Sequence, residues 1–246
     1  MIEALKLSKV FPASKKSKEV RAVNAISFYC KPGEIYGLLG ANGAGKTTTL
    51  RMLATILEPT SGTAKVAGYD IVEEPEKVRA NVGFLSTATA LYGRLSAKEL
   101  VEYFGRLHGM DGDALHKSVD GLFTALDMNS FRDRRCEKLS TGMKQKVSIA
   151  RTLVHDPQVM VFDEPTVGLD VMAARAIARF IRECRERGKT VIFSTHVMSE
   201  AAKLCDRIGI IHGGNILEEG TLEALRARHG KQDLEDIFVE AVGEEL

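Results

Sequence analysis

The segment Gly40-Ala-Asn-Gly-Ala-Gly-Lys-Thr47 follows a short apolar run, Glu34-Ile-Tyr-Gly-Leu-Leu-Gly40, and leads into residues whose Leu50, Leu53, Ala54 and Leu57 recur at helical spacing. Strand, glycine-rich turn and helix in that order match the phosphate-loop pattern GxxxxGK[ST]. The pattern commits the chain to an α/β fold with a phosphate-loop core. Glycines let consecutive backbone N–H groups turn toward phosphate oxygens, and the helix N-terminus adds roughly half a positive charge at the same place. Asn42, Gly43, Ala44, Gly45, Lys46, Thr47 and Thr48 therefore form the expected phosphate cradle. Lys46 would meet the β- and γ-phosphates, and the Thr47 hydroxyl would ligate Mg²⁺.

The rest of the chain fits that core. Residues 2 to about 31 alternate apolar and polar around Pro12-Ala-Ser-Lys-Lys-Ser-Lys18, which predicts antiparallel strands joined by a polar turn, with Lys15, Lys16 and Lys18 solvated. Residues 63–69 and 82–86 read as short strands. From Ser96 to His155 the period becomes helical: Leu100, Tyr103, Phe104 and Leu107 fit one apolar face, and Leu115, Val119, Leu122, Phe123 and Leu126 fit another. The continuous apolar runs at 158–162 and 189–194 flank an amphipathic segment, 171–187, and imply parallel strands covered on both faces. Residues 207–219 read as a hairpin turning at Gly213-Gly214, followed by short helices. The expected organisation is a mixed-sheet core in two parts, residues 1–95 and 157–246, with a helical subdomain inserted at 96–156.

With 34 Lys and Arg against 33 Asp and Glu, the chain has no excess charge with which to hold DNA or RNA. No apolar run approaches the roughly 18 to 20 residues a spanning helix needs. Cys30, Cys136, Cys184 and Cys205 are far apart and make neither a CxxC pair nor a zinc cluster, so they read as reduced structural thiols. The start, Met-Ile-Glu-Ala-Leu-Lys, lacks the layout of a secretory signal, which favours the cytoplasm.

Asp163 and Glu164 end the apolar run Val159-Met-Val-Phe. Such a pair is either a helix cap or, beside a phosphate loop, a carboxylate that orients Mg²⁺ followed by one that polarises water. Leu139-Ser-Thr-Gly-Met-Lys-Gln-Lys146 makes Ser140 a candidate N-cap and Gly142 a close-approach position at a second helix N-terminus suited to an anion.

Together these segments resemble the ATP-binding subunit of ATP-binding cassette transporters along nearly the whole chain. The 139–146 segment looks like a variant of the LSGGQ signature, with Thr141 and Met143 as substitutions. The resemblance implies ATP and Mg²⁺ as cofactors, with Thr47 and Asp163 toward the metal and Glu164, His196 and Lys46 as catalytic residues. Ser140 and Gly142 would touch the γ-phosphate held by a second copy, and Asp170, in Gly168-Leu-Asp170, would communicate across that dimer or cap the following helix. Phe11 would stack on adenine, its alternative being a strand core residue; the other five histidines carry no such context. Where the family usually has glutamine, this chain has Thr87, too short for the same reach.

The resemblance further implies a peripheral ATPase on the cytoplasmic face of the membrane, bound to a separate permease subunit and powering export. Residues 82–96 and 234–238 are most similar to the sodium-exporting group, and drug or antibiotic export is the alternative cargo class. Thr87 motivates a nucleotide-gated binding module with little coupled hydrolysis as a different reading, and steady-state ATPase with the membrane partner separates the two. A DNA-maintenance or ribosome-associated cassette would show a long heptad insert or a second cassette, and neither is present.

Overall fold

The computed structural model describes residues 1–13, 18–86 and 90–243. Ten strands form two sheets among these residues. The first is antiparallel, in the order β2 (Val20–Cys30), β1 (Ile2–Phe11), β4 (Ser61–Val66) and β5 (Tyr69–Asp70). The second has the order β10 (Asn215–Gly220), β9 (Arg207–His212), β3 (Ile35–Leu39), β8 (Thr190–Thr195), β7 (Val159–Asp163) and β6 (Val82–Ser86). Its pairs are parallel except for the β9–β10 hairpin. This is the mixed-sheet α/β core that the sequence predicts.

The buried strands explain their own composition. In β7, Val159 and Val161 face a core shared with the antiparallel sheet and with Leu50, Met52 and Leu53 of α1 (Lys46–Leu53). Met160 and Phe162 alternate to the opposite face, against Ile177, Phe180 and Ile181 of α6 (Val171–Glu186). A strand buried on both faces has no position for a polar side chain until its end, because successive residues point to opposite sides. Each fully buried side chain of this size contributes about 1.5–3 kcal/mol, so both layers are held firmly.

Residues 97–154 close a separate core. Ala97, Leu100 and Val101 of α3 (Ala97–Leu107), Leu115, Val119 and Phe123 of α4 (Gly112–Ala125), and Val147, Ala150 and Val154 at α5 (Thr141–Leu153) pack together. Ser96 and Glu99 form a capping box that starts α3. The face expected for α3 is corrected: Tyr103 and Leu107 are 42% and 62% exposed. The reason is Gly105, where a methyl group would stand 2.3 Å from Leu115 Cδ1. Close approach of α4 at that glycine leaves Tyr103 and Leu107, each two residues from it, on the far side of the helix. The face expected for α4 is the one it buries, with Leu122 and Leu126 half-buried.

Smaller departures have local causes. The first helix stops at Leu53, since Thr55 adopts a left-handed backbone (φ 56°), yet Leu57 still packs onto the core from the following turn. The 63–69 run is broken at Ala67-Gly68 into β4 and β5. Helices α2 (Pro75–Asn81) and α7 (Met198–Leu204) escape the periodicity, both being only seven residues long. The C-terminal helices α8 (Leu222–His229) and α9 (Leu234–Val242) cover Ile208 and Ile210 with Leu225, Leu234 and Ile237. No helix is long and apolar enough to cross a membrane among the described residues. Lys15, Lys16 and Thr87 lie outside them.

All four cysteines are free, and burial pushes the Cys30 and Cys184 thiols up to about 12, which removes them from thiolate chemistry. His108 and His155 stack in parallel, ring centroids 3.6 Å apart, where α3 ends and the chain enters β7. His155 Nε2 faces the Val82 carbonyl at 3.3 Å, so it carries the proton, and the buried Nδ1 has no partner among the described residues. Burial, and then the neighbouring His108, lowers the His155 pKa from 6.5 to about 4; burial lowers that of His108 too. A histidine whose folded pKa lies below its unfolded value holds fewer protons in the folded state, so stability falls as pH drops from about 6.5 toward about 4. His155→Gln is expected to flatten that acid limb in urea denaturation series, and an unchanged limb would assign it to other groups.

Candidate functional site

The phosphate loop joins β3 to α1 and is braced from two sides. A methyl group on Gly45, at φ 110°, would stand 2.4 Å from the Ala22 carbonyl of β2, and one on Gly40 would stand 2.3 Å from the Ile211 carbonyl of β9. Only glycine allows both strands so close. The β9–β10 turn adds a hydrogen bond from Gly214 N–H to the Ala44 carbonyl at 3.0 Å, while Gly214 accepts from Asn24 N–H at 2.8 Å. Asn42 and Gly43 form the exposed tip, Ala44 to Lys46 are buried, and Thr47 and Thr48 are half-buried. The helix begins with no side-chain cap and no acidic residue in its first turn, leaving its N-terminal N–H groups and positive dipole to a phosphate.

Lys46 is 4% exposed and points back over the loop, donating to the carbonyls of Gly40 at 2.7 Å and Ala41 at 3.1 Å. Its ammonium also lies 3.3 Å from Glu164 Oε1, and Glu164 Oε2 is 3.1 Å from His196 Nδ1. Lys46 is buried while Glu164 is partly exposed and His196 exposed, so the Lys46–Glu164 contact is the better shielded of the two. The three catalytic candidates are thus one contact cluster.

Asp163, the preceding residue, has different partners. Its Oδ1 accepts from Thr47 Oγ1 at 2.9 Å and from Ser194 Oγ at 2.8 Å. Among the described residues no Lys, Arg or His reaches ion-pair distance of this buried carboxylate. A carboxylate and a hydroxyl are the hard oxygen donors that Mg²⁺ takes from a protein when phosphates and waters complete its shell. The residues fit that ion, and no group of three or more His, Cys, Asp or Glu competes for it among the described residues.

Ser194 is the functional residue that motif reading missed. Parallel pairing sets it opposite Asp163, and its Oγ also accepts from Glu164 N–H at 3.0 Å. The signal was a hydroxyl residue at the end of an otherwise apolar strand. Glu164 needs the restraint, because it sits in the left-handed region (φ 49°), at a strain of about 1–3 kcal/mol for a residue with a side chain.

Phe11 is 40% exposed with Lys9 Nζ 5.6 Å from its ring centroid, so it is not a core residue. It pairs with Val20, two residues along β2 from Ala22, against whose carbonyl Gly45 packs, so the end of β1 that carries it lies near the phosphate loop. Ser140 and Asp170 do cap helices, α5 through Met143 N–H at 3.3 Å and α6 through Ala173 N–H at 2.9 Å. With Gly142 they line one groove of about 420 Å³ that includes no phosphate-loop residue. The sequence candidates therefore fall into two groups, and only the first is assembled around Lys46.

A second groove, of about 620 Å³, lies between the core and the helical segment. Ser86 and Ala90, on either side of the 87–89 stretch, line it with Arg51, Arg79, Phe104 and Arg151.

The sequence model of one protein family, described as ABC transporter, matches residues 23–167. The chain is 42% identical over 225 residues to the ABC transporter ATP-binding protein NatA of Bacillus subtilis (strain 168), covering 91% of this chain and 92% of that one. It is 41% identical over 229 residues to the Nod factor export ATP-binding protein I of Paraburkholderia xenovorans (strain LB400), covering 93% and 75%. Among solved structures it resembles the dimeric ATP-binding cassette MJ0796 in a post-hydrolysis state bound to ADP and Pi, with a TM-score of 0.81, 25% identity, and 90% and 98% coverage.

Ser194→Ala removes one of the two hydroxyl donors to Asp163 found among the described residues, a bond worth about 1.5–3 kcal/mol. It is expected to lower kcat for nucleotide hydrolysis by ~10-fold or more, read in a steady-state phosphate-release assay. Wild-type kcat in that variant would show that Thr47 alone suffices to hold Asp163.

Proposed function

The chain belongs to the ABC transporter family, and from that premise we propose that it is the ATP-hydrolysing subunit of an exporter, working as a head-to-tail pair of copies on the cytoplasmic face of a membrane with a separate permease subunit. The observation that carries this reading is the division of labour between adjacent carboxylates: among the described residues Asp163 is held by the hydroxyls of Thr47 and Ser194, whereas Glu164 is held by Lys46 and His196. Neighbours in sequence, they differ in chemistry because one ends a buried strand and the other begins the loop beyond it.

In the proposed reaction the phosphate-loop N–H groups and Lys46 hold the β- and γ-phosphates of ATP and balance the charge that builds on the transferring phosphoryl group. Glu164 orients the attacking water and receives its proton, and His196 fixes the Glu164 carboxylate from the other side. Thr47 and Asp163 would hold Mg²⁺, which would supply Lewis-acid stabilisation of the phosphate oxygens. Phe11 stacks on adenine.

Ser140, Gly142 and Asp170 line a groove whose described lining includes no phosphate-loop residue. Head-to-tail pairing gives them a role, since Ser140 and Gly142 then close over the ATP on the partner's phosphate loop. Residues 96–156 act as the helical subdomain that presents them, against the core of residues 1–95 and 157–246. Sodium ions are the cargo favoured by the likeness of residues 82–96 and 234–238 to the sodium-exporting group, with drug or antibiotic export as the alternative. Tracer efflux from sealed vesicles carrying both subunits, with sodium and then with drug probes, separates these cargoes.

Glu164→Gln is expected to slow turnover by ~100-fold or more, the size of a general-base effect, while ATP still binds. The trapped chain should run as a two-copy species in size-exclusion chromatography with ATP. A one-copy species that retains ATP would exclude the paired arrangement, and undiminished hydrolysis would remove Glu164 from its role.

A further inference from the structure

The loop between β7 and α6 begins with the strained backbone of Glu164 and is secured atom by atom. Glu164 donates its N–H to Ser194 Oγ at 3.0 Å, and its carbonyl accepts from Val167 N–H at 3.3 Å. Pro165 has no N–H to offer, so the next atom by which the loop can be held is the Pro165 carbonyl. That carbonyl accepts from Gln145 Nε2 at 3.1 Å. Only the amide nitrogen can face a carbonyl oxygen there, which fixes the orientation of the Gln145 side chain.

Gln145 stands on α5, five residues after Ser140. The same end of α5 faces the start of α6, where a methyl group on Gly142 would be 3.8 Å from Ala173 Cβ, three residues after Asp170. The helix that Ser140 caps is thus joined to the Glu164 loop by the Gln145 hydrogen bond and lies beside the start of α6.

We infer that Gln145 is a positioning residue that holds the Pro165 carbonyl, sets the backbone from which Glu164 reaches water, and ties the reaction centre of one copy to the Ser140 turn it lends to the other. The inference rests on the paired ATPase proposed above. Its consequence is that each copy's own hydrolysis depends on how its Ser140 turn is seated on its partner. Displacement of a catalytic group by a fraction of an ångström lowers a rate steeply, up to roughly 100-fold for 1 Å.

The test is steady-state ATP hydrolysis by the full chain as wild type, Gln145→Leu, Gln145→Glu and Gln145→Lys, each with its thermal midpoint, and with Gln145→Leu repeated in the Glu164→Gln background. Leu and Glu are expected to lower kcat by roughly 10-fold or more with KM for ATP changed less than about twofold, the mark of a transition-state effect. Lys, which keeps an N–H donor at the end of an unbranched chain, is expected to restore most of the rate. In the Glu164→Gln background Leu should cost almost nothing more, because the group it positions is gone. Wild-type kcat in Gln145→Leu, a full multiplicative loss beside Glu164→Gln, or an equal loss in Lys would overturn the inference. Should Leu not fold, the comparison of Glu with Lys decides by the same criteria. A wild-type chain that binds ATP but never hydrolyses it, alone or with its permease, overturns the paired ATPase and this assignment together, whereas the outcomes above strike Gln145 alone.

Discussion

Parallel pairing of β7 with β8 is the constraint on which the reaction centre depends. It sets Asp163 beside Ser194, whose hydroxyl serves the Asp163 carboxylate and the Glu164 N–H together. A slip of one residue would swap the two faces of β7, sending Met160 and Phe162 toward α1 and turning Asp163 away from Thr47. The apolar cores on both sides of the sheet forbid that slip, so burial far from the site fixes the position of a carboxylate within it.

A charged cluster at the end of buried strands needs a polar partner for every group. Lys46 has two carbonyls and a carboxylate, Glu164 has Lys46 and His196, and Asp163 has two hydroxyls. The site therefore exists as a preorganised arrangement of charge, the condition under which electrostatic stabilisation of a phosphoryl transition state is most effective. What it lacks within the one chain is a second wall. Ser140, Gly142 and Asp170 line a different groove, and this separation is what motivates the paired assembly proposed above.

Legibility in the sequence varied with the range of the interaction. Phosphate loop, strand ends and helix caps are local, so Gly45, Lys46, Asp163, Ser140 and Asp170 announced themselves through neighbours a few residues away. Ser194 and Gln145 did not. Their partners lie 31 and 20 residues distant, and a serine ending a strand or a glutamine on a helix carries no local mark of what it will meet. The face of α3 failed for a related reason. Period alone put Tyr103 and Leu107 inward, but the close approach of Leu115 at Gly105 decided which stripe α4 would cover.

By itself the sequence determined the elements and the chemistry at their ends: where the chain must be strand because it is apolar on both sides, where glycine permits phosphate to approach, and which side chains stand at those termini. Tertiary structure decided the partnerships, namely that Glu164 meets Lys46 and His196, that Asp163 meets Thr47 and Ser194, and that Ser140 meets none of them. Periodicity and capping are short-range properties written in adjacent residues. The relative placement of strand ends, by contrast, comes from packing two sheets and two helical layers to constant density, which no stretch of sequence expresses alone.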